Sequence, residues 1–156
     1  MKSLTLFRHA KTERDSDSGR DFDRRLIERG QQDSRRMGQE IGKLGLPFDL
    51  VLSSPAARAA ETAELAGLSP RFDQRIYDAS TGDLLTLAQQ TSNEVNRLAM
   101  VGHNPGFERL ASKLLGGAIE MPTGSLVEIA LPIDDWQDAG SGGGQLVRFL
   151  KPKQLD

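Results

Sequence analysis

Three short apolar runs, residues 3–7 (Ser-Leu-Thr-Leu-Phe), 49–53 (Asp-Leu-Val-Leu-Ser) and 98–101 (Leu-Ala-Met-Val), each end in turn residues and lead into a helical segment. This alternation constrains the fold more than any other feature, because parallel strands need a long crossover, usually a helix, to join them. Between the first two runs, Met37, Ile41 and Leu44 fall on one stripe of a helix over residues 28–44, and Gly45 offers a stop. Ser54-Pro55 and Asn104-Pro105 each read as a capping residue followed by proline, opening helices through Leu65 and Leu115. Residues 81–90 supply a further helix. Residues 125–131 and 145–150 read as two late strands around the loop Gly140-Ser141-Gly142-Gly143-Gly144, with no helix between them, and are expected to form an antiparallel edge. The pattern predicts a single domain over residues 1–156, built as a three-layer α/β/α sandwich on a mainly parallel sheet.

Composition narrows the partners. Twenty Lys and Arg against 22 Asp and Glu leave a net charge of −2, so no global basic field would draw the chain to nucleic acid or to an anionic membrane. No cysteine is present, which excludes disulfides and cysteine-held zinc and accords with a reducing, cytoplasmic setting. The first apolar stretch, residues 4–7, is shorter than the roughly 7–15 residues of a signal-peptide core or the roughly 18 of a membrane span. The glycine-rich loop lacks the Lys and Ser/Thr of a phosphate-binding P-loop and reads as a hairpin connection. Residues 15–26 fail as a calcium loop, since Arg20 and Leu26 stand where glycine and glutamate are needed.

The chain has two histidines, His9 and His103, and each follows an apolar run. Residues at the carboxyl ends of strands in an open α/β sheet face the ligand crevice, so both histidines point to one site. Arg8 arrives with His9, and Arg58 lies one turn into the helix after the second run. Two planar guanidinium forks and helix amino termini suit a phosphate dianion. A neutral imidazole against phosphorus can act as a nucleophile, while two arginines and a protonated His103 could stabilise the equatorial oxygens.

Leu6-Phe7-Arg8-His9-Ala10-Lys11-Thr12, Ser53-Ser54-Pro55-Ala56-Ala57-Arg58-Ala59-Ala60-Glu61-Thr62 and Val101-Gly102-His103-Asn104-Pro105-Gly106 together resemble the histidine phosphatase (phosphoglycerate-mutase-like) superfamily, and in particular its small SixA-type branch. The resemblance implies a phosphoglycerate-mutase-like fold, phosphorylation of His9, a phosphate held by Arg8, Arg58 and His103, and no requirement for a metal or other cofactor. Residues 23–30 resemble the family's Arg-Pro-Leu-Thr-Glu-Arg-Gly, with Arg25 and Ile27 in place of Pro and Thr, which removes a helix cap. The leaving-group acid that many members carry as glutamate has no clear counterpart in residues 74–80. Asp78 is the carboxylate there, a candidate acid/base or otherwise a surface or helix-capping residue. Lys11, Arg20 and Asn104 are further candidates for substrate contact. Glu61 serves helix solubility or orients Arg58, and Trp136 is expected to pack at a loop base.

A missing acid favours a leaving group that departs without a placed proton donor, such as a protonated imidazole. The expected partner is accordingly a phosphorylated protein, a histidine-carrier domain, with a small phosphomonoester as the alternative. A non-catalytic phosphate-binding adaptor is the alternative of another class.

Overall fold

A computed structural model describes residues 1–45 and 47–155. Its strands are β1 (Lys2–Arg8), β2 (Leu50–Ser53), β3 (Arg71–Phe72), β4 (Arg97–Gly102), β5 (Leu126–Leu131) and β6 (Gln145–Leu150). The helices are α1 (Glu28–Lys43), α2 (Ala57–Leu65), α3 (Thr81–Gln89) and α4 (Gly106–Leu115). All strands join one six-stranded sheet in the order β3-β2-β4-β1-β5-β6. The first four of that order run parallel, β5 pairs antiparallel with β1, and β6 pairs antiparallel with β5. The sheet is therefore mainly parallel, with the late strands at one edge as expected. Two-residue β3 escapes the sequence pattern because so short a strand shows no periodicity.

Alternation along each strand divides the core into two layers. Leu4, Leu6, Leu98 and Met100 pack with Leu84 and Leu87 of α3 and with Phe107, Leu110 and Leu114 of α4. Phe7, Val51, Ala99 and Val101 pack on the other face with Met37 and Ile41 of α1 and with Ala59 and Ala63 of α2. Trp136 is fully buried at a loop base, where its indole N–H donates to the Val95 carbonyl at 2.7 Å.

The two cap-then-proline signals are displaced. Ser54 N–H still donates to the Val101 carbonyl at 2.9 Å, prolonging the sheet ladder, so α2 starts only at Ala57 and its cap position is Ala56. Likewise Pro105, not Asn104, holds the cap position of α4. Both polar side chains nonetheless accept from the main chain near those helix starts, Ser54 Oγ from the Ala56 N–H and Asn104 Oδ1 from the Glu108 N–H. α1 begins after Ile27 with no side-chain cap, in accord with the replacement by Ile27 of the Thr that the family motif carries there. It closes at Gly45, whose φ of 61° suits glycine.

The glycines that weaken α1 by propensity allow it to approach its neighbours. A Cβ at Gly38 would collide with the Ala66 carbonyl oxygen, and one at Gly30 with that of Lys11, whereas Gly42 faces open space. Helix propensity alone would make each Gly→Ala change stabilising by about 0.5–1 kcal/mol. Gly42→Ala is expected to show that gain in denaturant unfolding. Gly38→Ala is expected to lose about 1–3 kcal/mol through overpacking against the α2 terminus.

Candidate active site

β1 and β4 are adjacent and parallel, with Arg8 opposite Gly102, but their following helices lie on opposite faces of the sheet. Such a divergence opens a crevice at the carboxyl ends of the strands. His9 N–H donates to the Gly102 carbonyl at 3.0 Å, which ties the exit of β1 to that of β4. The resulting cavity of about 450 Å³ is shared by Arg8, His9, Arg58 and His103, with Asp78 and Asn104. Thr12, Asp21, Arg24, Tyr77 and Thr123 complete its wall.

The imidazole centroids of His9 and His103 lie 5.3 Å apart, inclined at 54°. Nδ1 of His9 is 2.8 Å from the Ala10 carbonyl oxygen. A carbonyl only accepts, so the proton resides on Nδ1 and the lone pair on Nε2. Burial, opposed by that hydrogen bond and reinforced by Arg58, Arg8 and Arg24, pushes the His9 pKa down to about 4. His9 is therefore a neutral imidazole with a free Nε2 at neutral pH.

His103 Nε2 is 2.8 Å from Ser54 Oγ, which accepts from the Ala56 N–H at 3.2 Å. The acceptor available to the Ser54 hydroxyl proton is then His103 Nε2, which leaves the imidazole proton on Nδ1. That buried Nδ1 has no protein partner among the described residues. Burial, followed by Arg58 and His9, pushes the His103 pKa down to about 3. The protonated His103 expected from sequence is thus replaced at neutral pH by a neutral N–H donor, because burial, and after it the neighbouring cations, disfavours a charge on the ring.

Arg8 Nη1 donates to the Met121 carbonyl at 2.7 Å, and its Nε is buried without a protein partner among the described residues. Burial lowers the Arg8 pKa, and nearby Glu108 opposes that shift. Asn104 lines the cavity, but its side-chain amide donates to Glu108 and to the Met121 carbonyl, so it braces the turn after β4. The helix amino termini contribute less than expected, since the Ala56 and Glu108 N–H groups are engaged by Ser54 and Asn104.

Residues 4–112 match the histidine phosphatase superfamily (branch 1). The chain belongs to that superfamily. An uncharacterised chloroplastic protein of Arabidopsis thaliana is 29% identical over 170 residues, covering 97% of this chain and 78% of its own. The SixA protein of Agrobacterium tumefaciens is 28% identical with a TM-score of 0.82, over 97% of this chain and 98% of that one. A protein histidine phosphatase SixA complexed with tungstate has the same fold, with a TM-score of 0.84 at 23% identity over 99% of both chains. In fold and extent the chain is thus similar to the SixA-type histidine phosphatases.

Lys11 and Arg20, considered from sequence as substrate contacts, are exposed and do not line the cavity. The wall there is formed instead by Arg24, whose Nη2 donates to Thr12 Oγ1 at 2.6 Å. Asp78 lies at the exposed rim in the left-handed region, φ 55°. It does not cap α3, because Ser80 and Asp83 form a reciprocal capping box. Glu61 does not orient Arg58 either. It accepts from Arg25 Nε at 3.2 Å and from the Leu26 N–H at 3.4 Å, which anchors the segment leading to α1. Asp21 and Tyr77 have no distinguishing signal in sequence, whereas Arg24 stands at the first arginine of the family-like stretch 24–30.

Both imidazoles ionise near 6.5 in an unfolded chain but at about 4 and about 3 when folded. Between those values and about 6.5 the unfolded state binds more protons, so stability declines as pH falls from about 6.5, and the loss from each ring ends once pH passes below its folded value. Thermal unfolding followed by circular dichroism is expected to show a falling Tm from pH 7 to 4, with a shallower slope in His103→Gln than in the parent.

Proposed function

We propose that this histidine phosphatase hydrolyses protein-bound phosphohistidine through a covalent phosphohistidine on His9. The observation that carries the proposal is the fixed tautomer of His9, with Nδ1–H held by the Ala10 carbonyl and Nε2 bare among Arg8, Arg58 and His103. Nε2 forms a bond to phosphorus while the bond from phosphorus to the leaving atom breaks, and the leaving group takes that electron pair. Water then adds to phosphorus, the phosphorus–Nε2 bond breaks with its pair returning to His9, and inorganic phosphate departs. Arg8 Nε, Arg58 Nε and His103 Nδ1, buried without protein partners among the described residues, are donors suited to the phosphoryl oxygens. Removing one such donor is expected to raise the barrier by about 2.7–4 kcal/mol.

The two carboxylates of the cavity wall are Asp21 and Asp78. Burial raises the Asp21 pKa, but hydrogen bonds from Arg24, Tyr77 and Arg58 overcome it and hold the carboxyl well below the usual range. Asp21 thus has no proton to give at neutral pH. An imidazole leaving group, already protonated on its far nitrogen, needs none, whereas a sugar alkoxide does. This contrast supports the phosphoramidate substrate. The second reading, a small phosphomonoesterase, rests on Asp78 at the rim as proton donor. A cytoplasmic setting belongs to the same proposal and rests on the cysteine-free composition. No helix among the described residues is long and apolar enough to cross a membrane.

Radiolabelled phospho-substrate, quenched in alkali, is expected to leave alkali-stable label on the parent and none on His9→Ala; label persisting in that variant would refute His9 as nucleophile. Turnover is expected to favour a phosphorylated histidine-carrier domain over a panel of sugar phosphates, with Asp78→Asn nearly silent on the former. The reverse preference would establish the phosphomonoesterase instead, and saturable phosphate binding by folded protein without turnover would establish an adaptor. Since neutral His9 is the reactive form, kcat/KM is expected to lose its acid limb only as pH falls towards about 4, not near 6.5.

A further inference from the structure

Arg58 is almost wholly buried, yet it must present hydrogen-bond donors to a ligand in one orientation. A guanidinium has two usable edges: an end-on pair formed by Nη1 and Nη2, and a side-on pair formed by Nε and the second proton of Nη2. Nη1 donates to the Asp21 main-chain carbonyl at 2.7 Å, and Nη2 donates to Asp21 Oδ2 at 3.0 Å. A single residue therefore occupies the whole end-on edge. Nε is the nitrogen left without a protein partner among the described residues.

We propose that Asp21 is a positioning residue for the phosphoryl site, holding the end-on edge of Arg58 so that the side-on edge faces the phosphate. The proposal rests on the phosphatase reading above and assigns Asp21 a role that contact with the substrate does not require. Asp21 is itself fixed from three directions. Its Oδ1 accepts from Arg24 Nη1 at 2.9 Å, and Oδ2 accepts from the Tyr77 hydroxyl at 2.8 Å as well as from Arg58. Arg24 in turn reaches Thr12 Oγ1 and the Glu13 carbonyl, close behind His9. Tyr77 stands edge-on to His103 with ring centroids 5.7 Å apart, and Phe22 packs edge-on against Tyr77 at 5.0 Å. The short 3-10 helix Asp21–Asp23 thus registers Arg58 against both histidines.

A competing role is physically distinct. Were Asp21 a substitute anion that phosphate must displace, its removal would tighten oxyanion binding. As a positioning residue, loss of its carboxylate leaves Nη2 without its acceptor and the guanidinium held at Nη1 alone, free to turn about Cδ–Nε, which weakens binding.

The test is tungstate binding by isothermal titration calorimetry, together with the Arg58 Nε–H resonance in proton–nitrogen correlation spectra, on the parent, Asp21→Asn and Asp21→Ala. In the parent, tungstate is expected to move the Nε–H resonance. Asp21→Ala is expected to bind tungstate about tenfold or more weakly, with that movement lost. Both variants keep the main-chain carbonyl that accepts from Nη1, but Asp21→Asn also keeps one side-chain acceptor without the charge and is expected to fall between the two. It also serves as the readout should the alanine variant fold poorly. Equal or tighter binding in both variants would overturn the assignment of Asp21 while leaving the phosphate site intact. A parent that binds no tungstate would overturn the phosphate site and this proposal together.

Discussion

The parallel pairing of β1 with β4 is the contact on which the rest of the site depends. It sets Arg8 beside Gly102 and continues one residue beyond the strands through the bond from His9 N–H to the Gly102 carbonyl. Because the chain leaves β1 towards one face and β4 towards the other, the two histidines separate just enough to leave a polar crevice between them. Ser54 adds a third strand exit through its own bond to Val101 and brings its hydroxyl to His103. Sheet hydrogen bonds, which are stiff and numerous, thereby set imidazole positions to a precision that loops alone would not hold.

Collecting these groups is electrostatically costly. Three arginines and two histidines share the cavity wall, and buried charges must find partners. The molecule answers in two ways. The histidines remain neutral, their pKa values driven down by burial and by the neighbouring guanidinium groups. The arginines are steadied by acceptors on their outer edges: Met121 carbonyl for Arg8, Asp21 for Arg58 and Arg24. What is left facing inward is a set of N–H donors and one nitrogen lone pair, which is the inventory that phosphoryl transfer uses.

Elements with long periodic patterns are legible in the amino-acid sequence. The apolar stripe of α1, the three buried strands and the antiparallel edge all follow from burial on a fixed period, which a single sequence records directly. Strand-end placement likewise brings His9, His103, Arg8 and Arg58 together by sequence reasoning, as in the fold. Residues 71–72 carry no period, and Ser54 and Asn104 present the same cap-then-proline chemistry whether they open a helix or brace a turn. Asp21 and Tyr77 are invisible in sequence for a related reason. The contacts of Asp21 with Arg58 and Tyr77 span 37 and 56 residues of chain, and nothing in a local window marks an aspartate that will meet them.

Residue chemistry and local pattern by themselves determined the α/β alternation, the family and the four groups suited to a phosphate. Tertiary structure alone decided how those groups are protonated and aimed. A tautomer depends on which carbonyl or hydroxyl lies against a ring, and a pKa depends on how deeply the ring is buried and which cations surround it. Both are properties of three-dimensional neighbours, so the neutral His9 with its bare Nε2, the neutral His103 and the half-occupied fork of Arg58 emerge only once the chain has folded.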